Sequence, residues 1–80
     1  MSTVKSILLP LERLALGDNA IVEDVHGEPG WVCRMAELGI RTGSRVHVLQ
    51  PGSPCLLEVG GCRLCLRADK KARILVRPEV

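Results

Sequence analysis

The sequence predicts a mainly β domain: a small five-stranded barrel with one short helix between its first two strands and a helical turn near the N-terminus. Two observations carry this. Five short runs of alternating apolar residues are each bounded by glycine, proline or charged turn signals. One segment alone, Trp31 to Leu38, has helical spacing and a glycine stop. At 80 residues the chain is one domain spanning 1–80, with 1–9 as a loose lead-in. There is no Phe or Tyr, and Trp31 is the sole aromatic, so the core is expected to be aliphatic.

In chain order, Leu11, Leu14 and Ala15 recur at helical spacing behind Pro10, where proline suits a first turn. Gly17-Asp18 ends that turn, which could lie across one end of a barrel. Ile21 to Val25 is the first strand; Ile21, Glu23 and Val25 share one face and Ala20, Val22 and Asp24 the other. Gly27-Glu28-Pro29-Gly30 breaks the chain before the helix. Met35 and Leu38 share a helical face. Gly39 then supplies the positive φ that a helix end favours, and Ile40 folds back on the helix. Gly43 punctuates again. In the second strand, Ser44 to Leu49, Val46 and Val48 point inward and Arg45, His47 and Leu49 outward.

Pro51-Gly52-Ser53-Pro54 is a loop. The third strand, Cys55 to Val59, turns Cys55, Leu57 and Val59 inward. Gly60-Gly61 marks a hairpin. The fourth strand, Cys62 to Arg67, points Leu64 and Leu66 inward. Ala68-Asp69-Lys70-Lys71 turns the chain. The fifth strand, Ala72 to Arg77, points Ala72, Ile74 and Val76 inward, and Pro78 ends it. Gly61, Gly43, Gly39, Met35 and Leu38 are the expected structural positions.

Net charge is +2, too weak to suggest a nucleic acid or an anionic membrane. The lack of aromatics also argues against single-stranded nucleic-acid binding. No apolar run approaches the ~20 residues of a spanning helix. Ile7 to Leu11 makes a poor signal peptide, so a cytoplasmic setting with reduced thiols is expected.

Enzyme signatures are missing: no nucleophile–base set, no phosphate-cradling loop and no paired carboxylates. Cys62 and Cys65 form a CxxC. On a strand, residues three apart point to opposite faces, which argues against joint chelation. A redox CxxC usually opens a helix, and this one does not. His47, outward and near Glu58, and His26, near Asp24 and Glu28, are further candidates for a divalent transition metal, iron or zinc. Cys55 is expected as a buried thiol; Cys33 is either packed or at the surface.

The outward strand positions place Arg45, Arg63, Arg67, Arg73 and Arg77 in phase with Leu49, Leu56, Cys65 and Leu75. Arginine beside apolar groups favours a protein-binding surface.

Three blocks in this order resemble the FeoA family, small accessories of bacterial ferrous iron transport. The first is Arg34-Met35, Leu38-Gly39-Ile40 and Gly43. Met35 and Ile40 stand where the family has leucines, and Thr42 where proline is common. The second is Cys55 to Arg67, ending Leu64-Cys65-Leu66-Arg67. The third is Ala72, Ile74 and Val76. Together they cover the chain from about Leu11 to Val76. The resemblance implies an SH3-like barrel and a non-catalytic role that regulates or scaffolds the FeoB-type permease. The implied partner is the permease's cytoplasmic GTPase domain, with a second copy of the chain as a further candidate. The alternatives are a metal sensor or chaperone using His and Cys ligands, and a free-standing relative of the barrel domain of metal-dependent repressors. No helix-turn-helix precedes the barrel here.

Overall fold

The computed structural model describes residues 8–67 and 71–79. Six antiparallel strands form one curled sheet: β1 (Leu9–Pro10), β2 (Asn19–His26), β3 (Arg45–Gln50), β4 (Cys55–Val59), β5 (Cys62–Leu66) and β6 (Arg73–Glu79). Their order is β1-β6-β2-β3-β4-β5. A 3₁₀ turn, Leu11–Arg13, follows β1, and one helix, α1 (Pro29–Glu37), joins β2 to β3. This is the expected mainly β, SH3-like architecture. Residues 1–7 of the expected lead-in, and Ala68 to Lys70 of the expected turn, lie outside the described residues.

The core is aliphatic. Ala20, Val22, Ile40, Val46, Val48, Leu57 and Val76 are fully buried, with Leu11, Leu14, Met35, Cys55, Val59 and Ile74 closing around them. In β3 and β4 the strict alternation of the sequence appears directly as alternating burial. Gly60 and Gly61, at φ 57° and 84°, make the two-residue turn of the β4–β5 hairpin. Two successive positive φ values match the right-handed twist of the flanking strands.

Five expectations are corrected. A sixth strand exists: Leu9 and Pro10, read as lead-in and first turn, pair with Val76 and Leu75 of β6. Two residues are too few to show a period. β2 is longer than read, and its inward face changes part-way. A bulge between Val22 and Asp24 lets Val22 oppose Val76 and Val25 oppose Ile74, with Glu23 as the extra residue. Ala20, Val22 and Val25 therefore all face the core, which no period of two can show.

α1 starts two residues earlier than read, because Pro29 occupies its first turn. Leu38 does not share the buried stripe with Met35: it is the C-cap and stays 42% exposed. The residue that packs beside Met35 is Ile40, brought back by the turn. Lastly, Pro78 does not end β6, which continues to Glu79 with Pro78 opposite Ala20. β1 flanks β6 only at Leu75 and Val76. Beyond them β6 has no strand on that side among the described residues, and proline is tolerated at such an edge.

The helix end is a Schellman motif. Ile40 N donates to Met35 O at 2.8 Å and Gly39 N to Ala36 O at 3.0 Å, with Gly39 at φ 98°. The chain then clamps onto β2: Gly43 N donates to Val22 O at 2.7 Å and Val22 N to Ser44 O at 2.8 Å. The Ser44 hydroxyl donates to Gly39 O at 2.6 Å.

Replacing Gly39 by alanine should cost about 1–2 kcal/mol, the left-handed penalty for a residue with a Cβ. The added Cβ meets Val59 only at an ordinary 3.4 Å, so backbone strain sets the size. Urea unfolding of Gly39→Ala measures it, and an unchanged midpoint would refute the role of the φ.

Candidate functional site

Among the described residues the two end strands of the curled sheet, β1 and β5, do not pair, and a half-open cavity of about 440 Å³ lies on that side, between the 3₁₀ turn and the end of β5. Leu11 and Glu12 of the 3₁₀ turn form one wall, and Cys65, Leu66 and Arg67 at the end of β5 the other. Trp31 of α1 and Ile74 of β6 contribute the apolar back. Cys55 reaches the cavity from β4.

Cys55 is buried. Burial first, then the charges of Glu12 and Cys65, push its thiol above the ordinary value of 9.0. At neutral pH it is therefore a protonated, small apolar group in the cavity wall. The expectation for Cys55 holds structurally, and Cys33, open between two readings, is exposed.

Cys62 and Cys65 are both exposed. Cys62 opposes the buried Val59 and Cys65 opposes Leu56, so the two thiols belong to opposite faces of β5. His26 opposes Arg73 at an exposed position. His47 opposes Glu58 on β4, but its Nδ1 pairs with Asn19 Oδ1 at 2.9 Å. Among the described residues no three His, Cys, Asp or Glu side chains come together as a metal site.

The outward arginine–leucine set is divided. Arg45 pairs with Glu79 at 3.0 Å and Arg77 with Glu23 at 2.7 Å across β2. Such exposed pairs contribute about 0.2–1 kcal/mol each. Leu56 and Cys65 are direct neighbours on β4 and β5, with Leu49 beside the bulge of β3. Arg63 lies on the same face, opposite Glu58. Leu75 is on β6, three strands from β4, against Pro10 and Asp24. Arg73 is likewise on β6. Arg67 sits apart from both groups, at the cavity rim.

Sequence reading missed the cavity itself. Glu12, Trp31 and Ile74 are distant along the chain and meet only because β1 brings the 3₁₀ turn against β6. The single aromatic was the one available signal.

A FeoA domain model matches residues 9–78, nearly the whole described chain. The chain belongs to the FeoA family. It is similar to a crystal structure of the iron uptake regulatory protein FeoA, with 25% identity and a TM-score of 0.81 over 91% of this chain and all of that one. It is also similar to the solution structure of the FeoA protein from Chlorobium tepidum. That match has 31% identity and a TM-score of 0.80 over 90% of this chain and 71% of that one. No curated protein matches it. FeoA proteins are small accessory domains involved in ferrous iron uptake, and they are not a known enzyme family. Among the described residues of this FeoA-family chain, no helix is long and apolar enough to cross a membrane.

The position of Cys55 has a pH consequence. Its folded-state pKa is raised, so the unfolded thiol loses its proton first. The stabilisation is complete below the unfolded pKa and is lost as pH rises through the folded one. The unfolding free energy should therefore fall as pH rises above 9.0, and Cys55→Ala should flatten that slope. A Cys55→Ala slope equal to the wild type's would remove Cys55 as the cause. In thiol alkylation at pH 8, Cys33, Cys62 and Cys65 should label well before Cys55.

Proposed function

We propose that this chain is a non-catalytic cytoplasmic accessory of ferrous iron uptake that acts by protein contact. Its partner in this reading is the cytoplasmic GTPase domain of the FeoB-type permease. Membership of the FeoA family supplies the iron-uptake context. The observation that supports contact is the outward patch of β3 to β5: Leu56 opposes Cys65, Leu49 stands at the adjacent bulge of β3, and Arg63 and Glu58 face each other next along the same side. Leu49 and Leu56 are half-buried and Cys65 is exposed. Apolar groups beside arginine suit the centre of an interface, where charged residues other than arginine are depleted.

The groups around the cavity suit binding better than chemistry. Cys55 is held as a thiol, and neither histidine lines the cavity with it. A nucleophile without an adjacent base is weak.

The test is calorimetric titration of the isolated permease GTPase domain with this protein. Leu56→Glu should weaken binding about tenfold or more, because one buried charge at an interface centre is costly. Its unfolding midpoint should be unchanged, since the side chain points away from the core. Leu75→Glu, on the far strand, should bind as the wild type does. Wild-type affinity in a folded Leu56→Glu variant would refute this patch as the contact.

A further inference from the structure

Among the described residues β5 is the last strand in the sheet order, with β4 as its one strand neighbour. In a hairpin with a two-residue turn, the residues flanking the turn exchange hydrogen bonds, and the pattern then alternates. Val59 and Cys62 flank the turn here, so Leu64 and Leu66 also bond inward to β4. The N–H and C=O groups of Arg63 and Cys65 are left facing the free edge. Natural edges are blunted by charged side chains, lysine above all, by proline or by a bulge. β5 has no lysine, proline or bulge, and Arg63 is its one charge.

The side chains at this edge have a strict pattern. Leu64 and Leu66 face inward and pack against the core. Arg63, Cys65 and Arg67 are exposed. Neither Arg63 nor Arg67 forms an ion pair with a described residue, unlike Arg45 and Arg77. The cavity opens beside the same strand end, where Leu66 and Arg67 line it with Trp31, Leu11 and Ile74.

We propose that β5 accepts an extended acidic segment of another protein as an added antiparallel strand, whose inward apolar side chain enters the cavity. Main-chain bonds to Arg63 and Cys65 would supply affinity, and alternate side chains specificity. Outward carboxylates on the added strand match Arg63, which Glu58 faces from β4, and Arg67. An inward leucine-sized group matches Leu11, Trp31, Leu66 and Ile74 in a cavity that Glu12 also lines. A second copy of this chain fits less well, because pairing β5 with itself brings the same arginines across the new seam. This deepens the protein-contact reading and rests on it.

The probe is a short, end-blocked peptide of alternating glutamate and leucine, followed by the fluorescence of Trp31, the sole tryptophan. Saturable binding is expected. Methylating every second amide, on the face that meets β5, should abolish it. Arg63→Glu/Arg67→Glu should weaken it about tenfold or more, and a lysine–leucine peptide should bind this variant better than it binds the wild type. That reciprocal rescue separates charge pairing from loss of fold. Binding indifferent to amide methylation would overturn the added strand. So would a Trp31 change that tracks protein concentration without peptide, which would mean self-association. If the peptide fails while the permease domain binds, this inference falls and the contact reading stands. If neither binds, both fall.

Discussion

The fold depends on how one helix is stopped. Between Met35 and Ser44 the chain must leave α1, reverse, and enter β3 in the phase that buries Val46 and Val48. A shift of one residue would turn those valines to solvent and Arg45 and His47 into the core. The Schellman bonds to Met35 and Ala36, the Ser44 hydroxyl on Gly39 and the two bonds to Val22 remove that freedom. Ile40, fully buried, is at once the hydrophobic end of the helix cap and a core residue. The connector couples helix, strand register and core in about ten residues. A second clamp works at the other end of β3, where Gly17 N donates to Val48 O and Val48 N to Asp18 O, both at 2.9 Å.

The sequence made most of this legible because its parts are local. Val46 and Val48, Cys55 to Val59, the Gly60-Gly61 turn and the Gly39 stop all reveal themselves within a few residues. Three features did not. The bulge at Glu23 breaks a period of two for a tertiary reason, the need to keep both Val22 and Val25 inside. β1 is too short to carry a pattern and exists only because β6 is there to pair with it. The cavity requires the sheet order, since Glu12 and Arg67 stand at opposite ends of the chain and of the sheet. The CxxC shows the same divide from the other side. Its spacing invites a chelation reading, yet the pairing of Cys62 with Val59 and of Cys65 with Leu56 assigns the thiols to different faces.

Alternation is informative about the inside of a barrel and nearly silent about the outside. Arg45, Arg63, Arg67, Arg73 and Arg77 look equivalent in the sequence, all outward and all in phase. The fold separates them by what lies across the strand. Arg45 and Arg77 have carboxylates within reach, so their charges are largely spent in a surface network around β2. Arg63 lies on β5 opposite Glu58, and Arg67 directly follows that strand; neither forms an ion pair with a described residue. Among the described residues, the outer edge of β5 and the open cavity share one cause: the sheet ends at β5 without pairing to β1. A closed barrel of the same strands would bury that edge and fill the gap, gaining stability and losing the surface. In the proposed strand addition, this seam is the surface that the partner segment would complete. The connector at Gly39, by fixing the register of β3 and hence of β4 and β5, determines where that seam falls.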